Sequence, residues 1–197
     1  MESTQQKIAT TISEHLQVVN CLNEACGDVL AVLIERTEVA LRAGGKICFF
    51  GNGGSASDAQ HLATEFVVRY SRQRAALASI AFTTDTSALT AGGNDFGFES
   101  IFSRQVEALC GAKDVVVGIS TSGTSPNVIA GLMAAKKLGA LTVLFTGRPG
   151  GEAAQAAGQV DLVLAAPSEV TARIQECHLI AGHILCDLVE EAFAEQS

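Results

Sequence analysis

The sequence predicts an α/β fold, with a doubly wound, mostly parallel five-stranded sheet, helices on both faces and additional N-terminal helices. Two observations support this prediction. Short apolar runs alternate with helical segments, and continuous apolar runs of this length are typical of parallel strands covered on both faces. The five runs lie at residues 47–50, 77–82, 114–119, 141–145 and 160–165.

The N-terminal residues 3–43 have apolar residues at helical spacing and end at Gly44 and Gly45. Helices ahead of the first strand are not part of a minimal doubly wound unit. Their apolar stripe is expected either to pack on its own domain or to contact a second subunit. The stripe consists of Ile8, Ile12, Leu16 and Val19. Since the chain has no internal linker or repeat, we expect one domain over 1–197, with 1–43 as the candidate oligomer interface.

Composition narrows the class of protein. A chain of 197 residues, 48% hydrophobic, is large enough for one domain with a full core, and its net charge of −8 argues against a broad nucleic-acid-binding surface. No apolar stretch is long enough to cross a bilayer, and the N-terminus lacks a signal-peptide core. Six cysteines without a Cys-x-x-Cys motif predict buried, reduced thiols. We therefore expect a cytoplasmic protein without nucleic-acid or membrane partners.

A polar loop rich in glycine, 51–54, follows the first apolar run and precedes a helix that begins near Ser55. Glycines let the backbone turn sharply and approach a ligand closely. Ser55 or Ser57 can cap this helix, whose free N–H groups suit a phosphate or a hydroxyl-rich ligand.

His61 and Glu65 lie four residues apart on the same helix and therefore on one face. A metal site or an acid/base pair would use this spacing. An exposed helical pair without a chemical role is the alternative interpretation.

A second polar loop, 120–125, contains serines, threonines and a glycine between a strand and a helix beginning at Pro126. Such hydroxyls and N–H groups can hold a phosphate without any lysine. Serine, threonine and glycine are also ordinary loop residues. Both polar loops, however, follow strands at their carboxyl ends, where α/β sheets bind ligands.

The remaining predictions concern the segments around these loops. A short helix at 88–92 and a loop at 93–97 are expected after the second strand, and a loop at 146–151 and a helix at 152–157 after the fourth. On the final helix, 171–193, Gln175 and His183 are eight residues apart and roughly on one side. His178 points elsewhere and is expected to be a core or interface residue.

The motifs resemble a known family over essentially the whole chain. Gly-Asn-Gly-Gly-Ser at 51–55, Ile-Ser-Thr-Ser-Gly-Thr-Ser at 119–125 and Arg-Ile-Gln-Glu at 173–176 are similar to the SIS (sugar isomerase) domain. Gly-Asn-Asp-Phe-Gly at 93–97, Ala-Gln-His at 59–61 with Glu65, and His183 resemble the bacterial phosphoheptose isomerase family within that group.

This resemblance implies a SIS-type sheet and a homotetramer with active sites at subunit boundaries. It implies isomerisation of sedoheptulose 7-phosphate to D-glycero-D-manno-heptose 7-phosphate, the first step toward ADP-heptose for lipopolysaccharide core. The reaction moves a proton between C1 and C2 through an enediol-like intermediate, and the family's acid/base pair corresponds to Glu65 and His183.

Binding residues follow from the same resemblance, position by position. Substrate-binding positions are Asn52, Gly53, Gly54, Ser55, Glu65, Asn94, Asp95, Ser120, Thr121, Ser122, Ser125 and Gln175, of which the four at 120–125 form the phosphate nest. A zinc site of some members, one zinc per subunit, corresponds to His61, Glu65, Gln175 and His183. No nucleotide cofactor is implied.

Two other functions are compatible with a SIS domain. One relative is a non-catalytic adaptor that binds the replication initiator DnaA, but it lacks the residues matching Glu65 and His183, both of which are present here. Another SIS activity, such as pentose-phosphate isomerisation or sugar-phosphate sensing, fits the whole-chain resemblance less well.

Overall fold

Five parallel strands form one sheet in the computed structural model of the chain, which describes residues 2–147 and 159–194. The strands are β1 Ile47–Gly51, β2 Ser79–Ala81, β3 Val115–Ile119, β4 Leu141–Thr146 and β5 Leu162–Ala165. Their order is β2-β1-β3-β4-β5, and every pairing is parallel. The predicted α/β class and parallel five-stranded sheet are confirmed.

Seven α-helices are described. They are α1 Thr4–Asn20, α2 Leu22–Arg42, α3 Gly54–Val67, α4 Thr86–Phe96, α5 Ser103–Leu109, α6 Pro126–Lys137 and α7 Thr171–Phe193. A short 3-10 helix, Phe98–Ser100, lies between α4 and α5. The predicted helix at 152–157 and most of the predicted loop at 146–151 lie outside the described residues.

The two faces of the sheet bury separate hydrophobic clusters. All five residues of β1 and of β3 are buried, and successive side chains alternate between the faces. Phe49 belongs to the cluster formed with α2, α3 and α7, whereas Phe50 belongs to the cluster formed with α5 and α6. Phe50 stacks on Phe102 with ring centroids 5.0 Å apart. The sheet is therefore covered on both sides, as its apolar strands predict.

Helix α1 has no buried residue. Ile8, Ile12 and Leu16 are each more than half exposed, so this part of the apolar stripe is not covered by its own domain. The helix begins with a capping box in which Ser3 and Gln6 bond reciprocally. No single helix among the described residues is long and apolar enough to span a membrane; α1 and α2 meet that test only as a pair, bent by 47°.

Two sequence predictions need correction. Residues 93–96 belong to α4 and are not a loop: the Asp85 side chain caps this helix by accepting from the Ala88 N–H at 2.9 Å, and the helix ends at Gly97, which has φ +85°. All six cysteines are free, but Cys21 is exposed and Cys110 is only partly buried, so the prediction of burial holds for the other four.

Packing of α6 on the sheet depends on a residue without a side chain. A Cβ atom at Gly131 would lie 2.7 Å from Phe50 Cζ, and that ring is fixed by its stacking on Phe102. We expect Gly131→Val to lower the free energy of unfolding by about 1–3 kcal/mol. Urea denaturation measures the change.

Gly111 is the matched control, because a Cβ there meets no atom within 4 Å and its φ is not positive. Gly111→Ala should change the free energy of unfolding by less than about 0.5 kcal/mol. Equal losses in the two variants would contradict the packing argument.

Candidate active site

The two polar loops lie side by side at the carboxyl ends of the neighbouring strands β1 and β3. The strand order makes β1 and β3 neighbours, with Gly51 in register with Ile119, and this is the position where sheets of this order bind ligands. Asn52, after β1, and Asn127, in the first turn of α6, exchange two amide hydrogen bonds of 2.9 and 2.8 Å. Because Asn127 is 2% exposed, this pair locks the two loops together.

The loop at 120–125 is a cluster of hydroxyl groups at the N-terminus of α6. Ser120 Oγ lies 2.9 Å from Ser125 Oγ and 3.4 Å from Ser122 Oγ, and it accepts the Gly123 N–H at 3.1 Å. Ser125 is the N-cap residue, yet its side chain does not cap the helix. The positive end of the helix therefore faces the hydroxyl cluster, an arrangement that suits a phosphate.

The loop at 51–54 turns through Gly53, whose φ of +57° favours glycine. Gly53 is the N-cap position of α3, so the prediction that Ser55 or Ser57 caps this helix is wrong. Ser55 is buried, with its N–H bonded to the Asn52 carbonyl at 3.0 Å. Backbone carbonyls take the place of a serine cap, since the Ala56 N–H donates to the Gly53 carbonyl at 3.1 Å.

A cavity of about 530 Å³ adjoins this loop. Its walls include Asn52 and Gly53 on one side and Thr90 and Gly93 of α4 on the other. Asn94 and Asp95 follow Gly93; both are exposed, and Asn94 Nδ2 donates to Asp95 Oδ1 at 2.7 Å. They stand near the cavity on the helix, and their predicted contact with a sugar stays a prediction.

A second cavity, of about 560 Å³, lies at the amino ends of the strands. Two of its charged groups, Lys136 and Asp161, form an ion pair at 3.3 Å, and Asp114 pairs with Lys46 at 2.7 Å. Arg36 and Lys113 also line this cavity. We assign the ligand site to the opposite edge, because sheets of this order bind ligands at the carboxyl ends of their strands, where the loop hydroxyls and the helix N-termini are found.

His61 and His183 meet where α3 packs on α7. Their Nε2 atoms are 2.8 Å apart, and Glu65 Oε1 lies 3.7 Å from His61 Nε2. The helices approach closely because residue 182 is glycine: a Cβ there would lie 2.5 Å from Leu62 Cδ2. The structure thus brings three of the four predicted zinc ligands, and both predicted acid/base residues, into one partly exposed cluster.

Gln175, the fourth predicted ligand, lies nearer the start of α3. Its side chain lies close to Asp58, and its amide fills the space that a Cβ at Gly54 would occupy. Asp58 is 8% exposed, and burial raises the pKa of its carboxyl group. Within residues 2–147 and 159–194, no three His, Cys, Asp or Glu side chains are arranged to hold a metal ion.

His178 is a core residue, as predicted. Its side chain is buried, and Nε2 donates to the Thr146 carbonyl at 2.9 Å. Burial lowers its pKa to about 4, so the ring is neutral near pH 7.

Three residues at this site were not predicted from the sequence: Asn127, Asp58 and Tyr70, whose ring centroid lies 5.6 Å from that of His183. Asn127 could have been suspected, because an amide in the first turn after the hydroxyl loop faces the neighbouring strand's loop. The roles of Asp58 and Tyr70 depend on contacts with α7, more than 100 residues away along the chain.

The fold and these loops define a class of protein. Residues 13–147, more than half of the chain, match the family model of the SIS domain. The chain is also 59% identical over 158 residues to the phosphoheptose isomerase of Aquifex aeolicus, which covers 80% of this chain and 81% of that protein. It is 51% identical over 183 residues to the phosphoheptose isomerase of Paramagnetospirillum magneticum, covering 93% and 94%.

Solved structures agree with these relatives. The phosphoheptose isomerase from Neisseria gonorrhoeae superimposes with a TM-score of 0.88 at 41% identity, and that from Francisella tularensis with 0.91 at 32%; each match covers 96% of this chain and 100% of the other. The chain belongs to the phosphoheptose isomerase family of SIS-domain proteins.

We expect the Asn52–Asn127 amide pair to shape the hydroxyl loop for phosphate binding. Asn127→Asp keeps an acceptor but removes the donor to Asn52, and it places a negative charge beside the hydroxyl loop. We expect the dissociation constant for inorganic phosphate to rise about tenfold, since one lost buried hydrogen bond costs about 1–3 kcal/mol. A ³¹P NMR titration measures it.

Asn23→Asp, at an exposed position of α2, is the control for the added charge. It should leave phosphate binding unchanged. Unaltered phosphate affinity in Asn127→Asp would show that the amide pair does not shape this loop.

Proposed function

We propose that this chain interconverts sedoheptulose 7-phosphate and D-glycero-D-manno-heptose 7-phosphate by acid/base proton transfer. One observation supports this most strongly. In a member of the phosphoheptose isomerase family, the Glu65 carboxylate of α3 and the His183 imidazole of α7 each lie within 4 Å of the His61 ring. The arrangement supplies both kinds of group that aldose–ketose isomerisation requires.

The phosphate end of the substrate is assigned to the hydroxyl loop. Ser120, Thr121, Ser122 and Ser125 would donate hydrogen bonds, together with backbone N–H groups near the positive end of α6. The proposal needs no cationic side chain in this loop, and residues 120–125 contain none. Asn52, Gly53, Gly54 and Ser55, with Asn94, Asp95 and Gln175, would contact the sugar.

The chemistry is divided between Glu65 and His183. One group takes the proton from C1 or C2 and returns it to the neighbouring carbon, and the other moves the proton between the two oxygens through an enediol intermediate. The Glu65 side chain is 18% exposed, so a carboxylate in this position is partly desolvated yet accessible to a sugar. His61 is placed to orient His183, because their Nε2 atoms are within hydrogen-bonding distance.

Zinc is proposed as the cofactor, one ion per subunit, held by His61, Glu65, Gln175 and His183. Imidazole nitrogens and a carboxylate are donor types that suit zinc, and His61 and His183 already face each other with their Nε2 atoms 2.8 Å apart. Gln175 lies about 12 Å from His183 along α7, so both side chains would extend toward each other. When bound there, zinc would supply a Lewis acid for the substrate carbonyl.

We further propose a homotetramer with active sites at subunit boundaries. The exposed apolar face of α1 supports this, since isolated domains rarely leave such a row uncovered. His61 and Glu65 also remain partly exposed in one chain. A cytoplasmic location and an early place in ADP-heptose synthesis for lipopolysaccharide core belong to the same proposal.

A non-catalytic adaptor for DnaA is the alternative function. It would not need Glu65 and His183, whereas this chain has both and places them on facing helices. Those residues therefore favour the enzyme, and the assay below separates the two functions.

Replacement of the acid/base residues tests the proposal directly. We expect Glu65→Gln and His183→Gln each to lower kcat on sedoheptulose 7-phosphate by at least about 100-fold, because general acid/base groups contribute about 10²–10⁴. Phosphate binding at the distant loop should persist. Turnover is followed by NMR of the sugar, with and without added zinc.

Glu24→Gln, at an exposed position of α2, is the matched control and should retain full activity. If the wild-type chain shows no turnover with zinc present while still binding the sugar phosphate, the isomerase proposal fails and an adaptor or a sensor becomes the better account.

The oligomer is tested on the α1 face. Ile12→Asp introduces a charge into the exposed apolar row, and we expect light scattering to show loss of the tetramer at micromolar concentration. Gln17→Asp, about 140° around the same helix, should leave the tetramer intact. A monomeric wild-type chain, or a tetramer unaffected by Ile12→Asp, would contradict this assignment.

A further inference from the structure

After α3 ends at Val67, the chain turns alongside α7, and the backbone N–H groups of residues 70–72 in this turn donate to one carboxylate of α7. We call this carboxylate, Glu190, and its donors the Glu190 cradle. Glu190 Oε1 accepts the Tyr70 N–H at 2.8 Å, and Oε2 accepts those of Ser71 and Arg72 at 2.6 and 2.7 Å. The Ser71 hydroxyl adds a fourth bond at 3.2 Å. Glu190 is 1% exposed, so it is a buried anion held by consecutive donors of one turn.

Arg74 also contacts the Glu190 cradle. Its Nε lies 3.3 Å from Glu190 Oε1, and its Nη2 donates to the Glu65 carbonyl at 2.7 Å. Both charged side chains are 1% exposed. Burial alone would raise the pKa of Glu190, but the three N–H bonds and the guanidinium outweigh it and lower that pKa. The carboxylate is therefore charged, and it links the end of α3 to α7.

This network joins the two residues assigned to the chemistry. Glu65 is bonded through its carbonyl to Arg74, while His183 lies on the same helix as Glu190, about two turns earlier. The turn held by Glu190 also sets Tyr70 against the His183 ring, with 5.6 Å between ring centroids. The relative position of Glu65 and His183 thus depends on the cradle.

We propose that Glu190, acting with Arg74, is a positioning residue that sets Glu65 and His183 at their working separation. This inference rests on the proposed isomerase function. A buried ion pair is a poor device for stability alone, because desolvation offsets its attraction. It is a good device for geometry, since acid/base groups must be held within about 0.5 Å of their productive placement.

The requirement is for a carboxylate. Three converging N–H donors need two acceptor oxygens, and glutamine offers one oxygen and one NH₂ group that faces a donor. Glu190→Gln should therefore shift the turn while preserving the size of the side chain. We expect kcat on sedoheptulose 7-phosphate to fall about 10- to 100-fold. KM should stay within about twofold, because the phosphate loop lies at the other end of α3.

Asp187→Asn is the matched control. Asp187 also ties the turn to α7, through Arg72, but this ion pair is more than a third exposed on both sides. Exposed pairs contribute little. Asp187→Asn should leave both kcat and KM within about twofold of the wild type.

If Glu190→Gln fails to fold, Arg74→Lys is the substitute variant, because it keeps the buried positive charge. Lysine cannot bridge Glu190 and the Glu65 carbonyl with a planar fork. We expect a fall in kcat of about tenfold, again with KM unchanged. If folded Glu190→Gln retains the wild-type kcat, the positioning role is overturned, even if the melting temperature drops. If that variant does not fold, a wild-type kcat in Arg74→Lys overturns the role in the same way.

Histidine-selective NMR separates this inference from the proposed function. Glu190→Gln, or Arg74→Lys in its place, should move the ring resonances of His183, and Asp187→Asn should not. If the wild type has no isomerase activity but the shift is seen, the isomerase assignment fails while the structural coupling stands. Unmoved His183 resonances overturn the coupling whatever the activity.

Discussion

The packing of α3 against α7 is the contact on which the proposed chemistry depends. The two helices, Gly54–Val67 and Thr171–Phe193, are far apart in the sequence, and each supplies one member of the proposed acid/base pair. Gly182 permits the close approach, because any side chain there would collide with Leu62. The buried Glu190–Arg74 pair holds the far end of the same contact.

A second constraint comes from the sheet. The order β2-β1-β3-β4-β5 places the loops after β1 and β3 side by side, and the Asn52–Asn127 amide pair holds them in register. Because only Asn52 and Gly53 separate β1 from α3, the loop proposed to contact the sugar and the proposed acid/base residue Glu65 belong to one continuous stretch, 46–70. The amide pair connects this stretch to the hydroxyl loop at 120–125, where the phosphate is proposed to bind.

The sequence was sufficient for the features that depend on local pattern. The buried strands β1 and β3 are continuous apolar runs, and α7 was predicted with the bounds that the structure shows, 171–193. The two ligand loops were recognised because glycines and hydroxyl residues stand between a strand and a helix. The pairing of His61 with Glu65 followed from their four-residue spacing.

Features that depend on tertiary contacts were not predicted. A loop was expected at 93–97 because glycine, asparagine and aspartate are poor helix formers. Most of this segment is nevertheless helical, because it continues a helix that the Asp85 side chain caps about two turns earlier. Helical spacing placed Gln175 roughly on the same side of the final helix as His183, but it did not show that the Gln175 amide packs against Gly54 at the start of α3. Glu190 gave no signal, because its role is defined by backbone groups more than 115 residues away in the chain.

A crystal structure of Glu65→Gln with sedoheptulose 7-phosphate would locate both ends of the bound substrate. We expect the phosphate within hydrogen-bonding distance of the Ser120, Ser122 and Ser125 hydroxyls, with C1 and C2 of the sugar beside a His183 imidazole of the same or a neighbouring subunit. A phosphate bound in the cavity at the amino ends of the strands, or a sugar whose C1 and C2 lie away from every His183, would contradict this expectation.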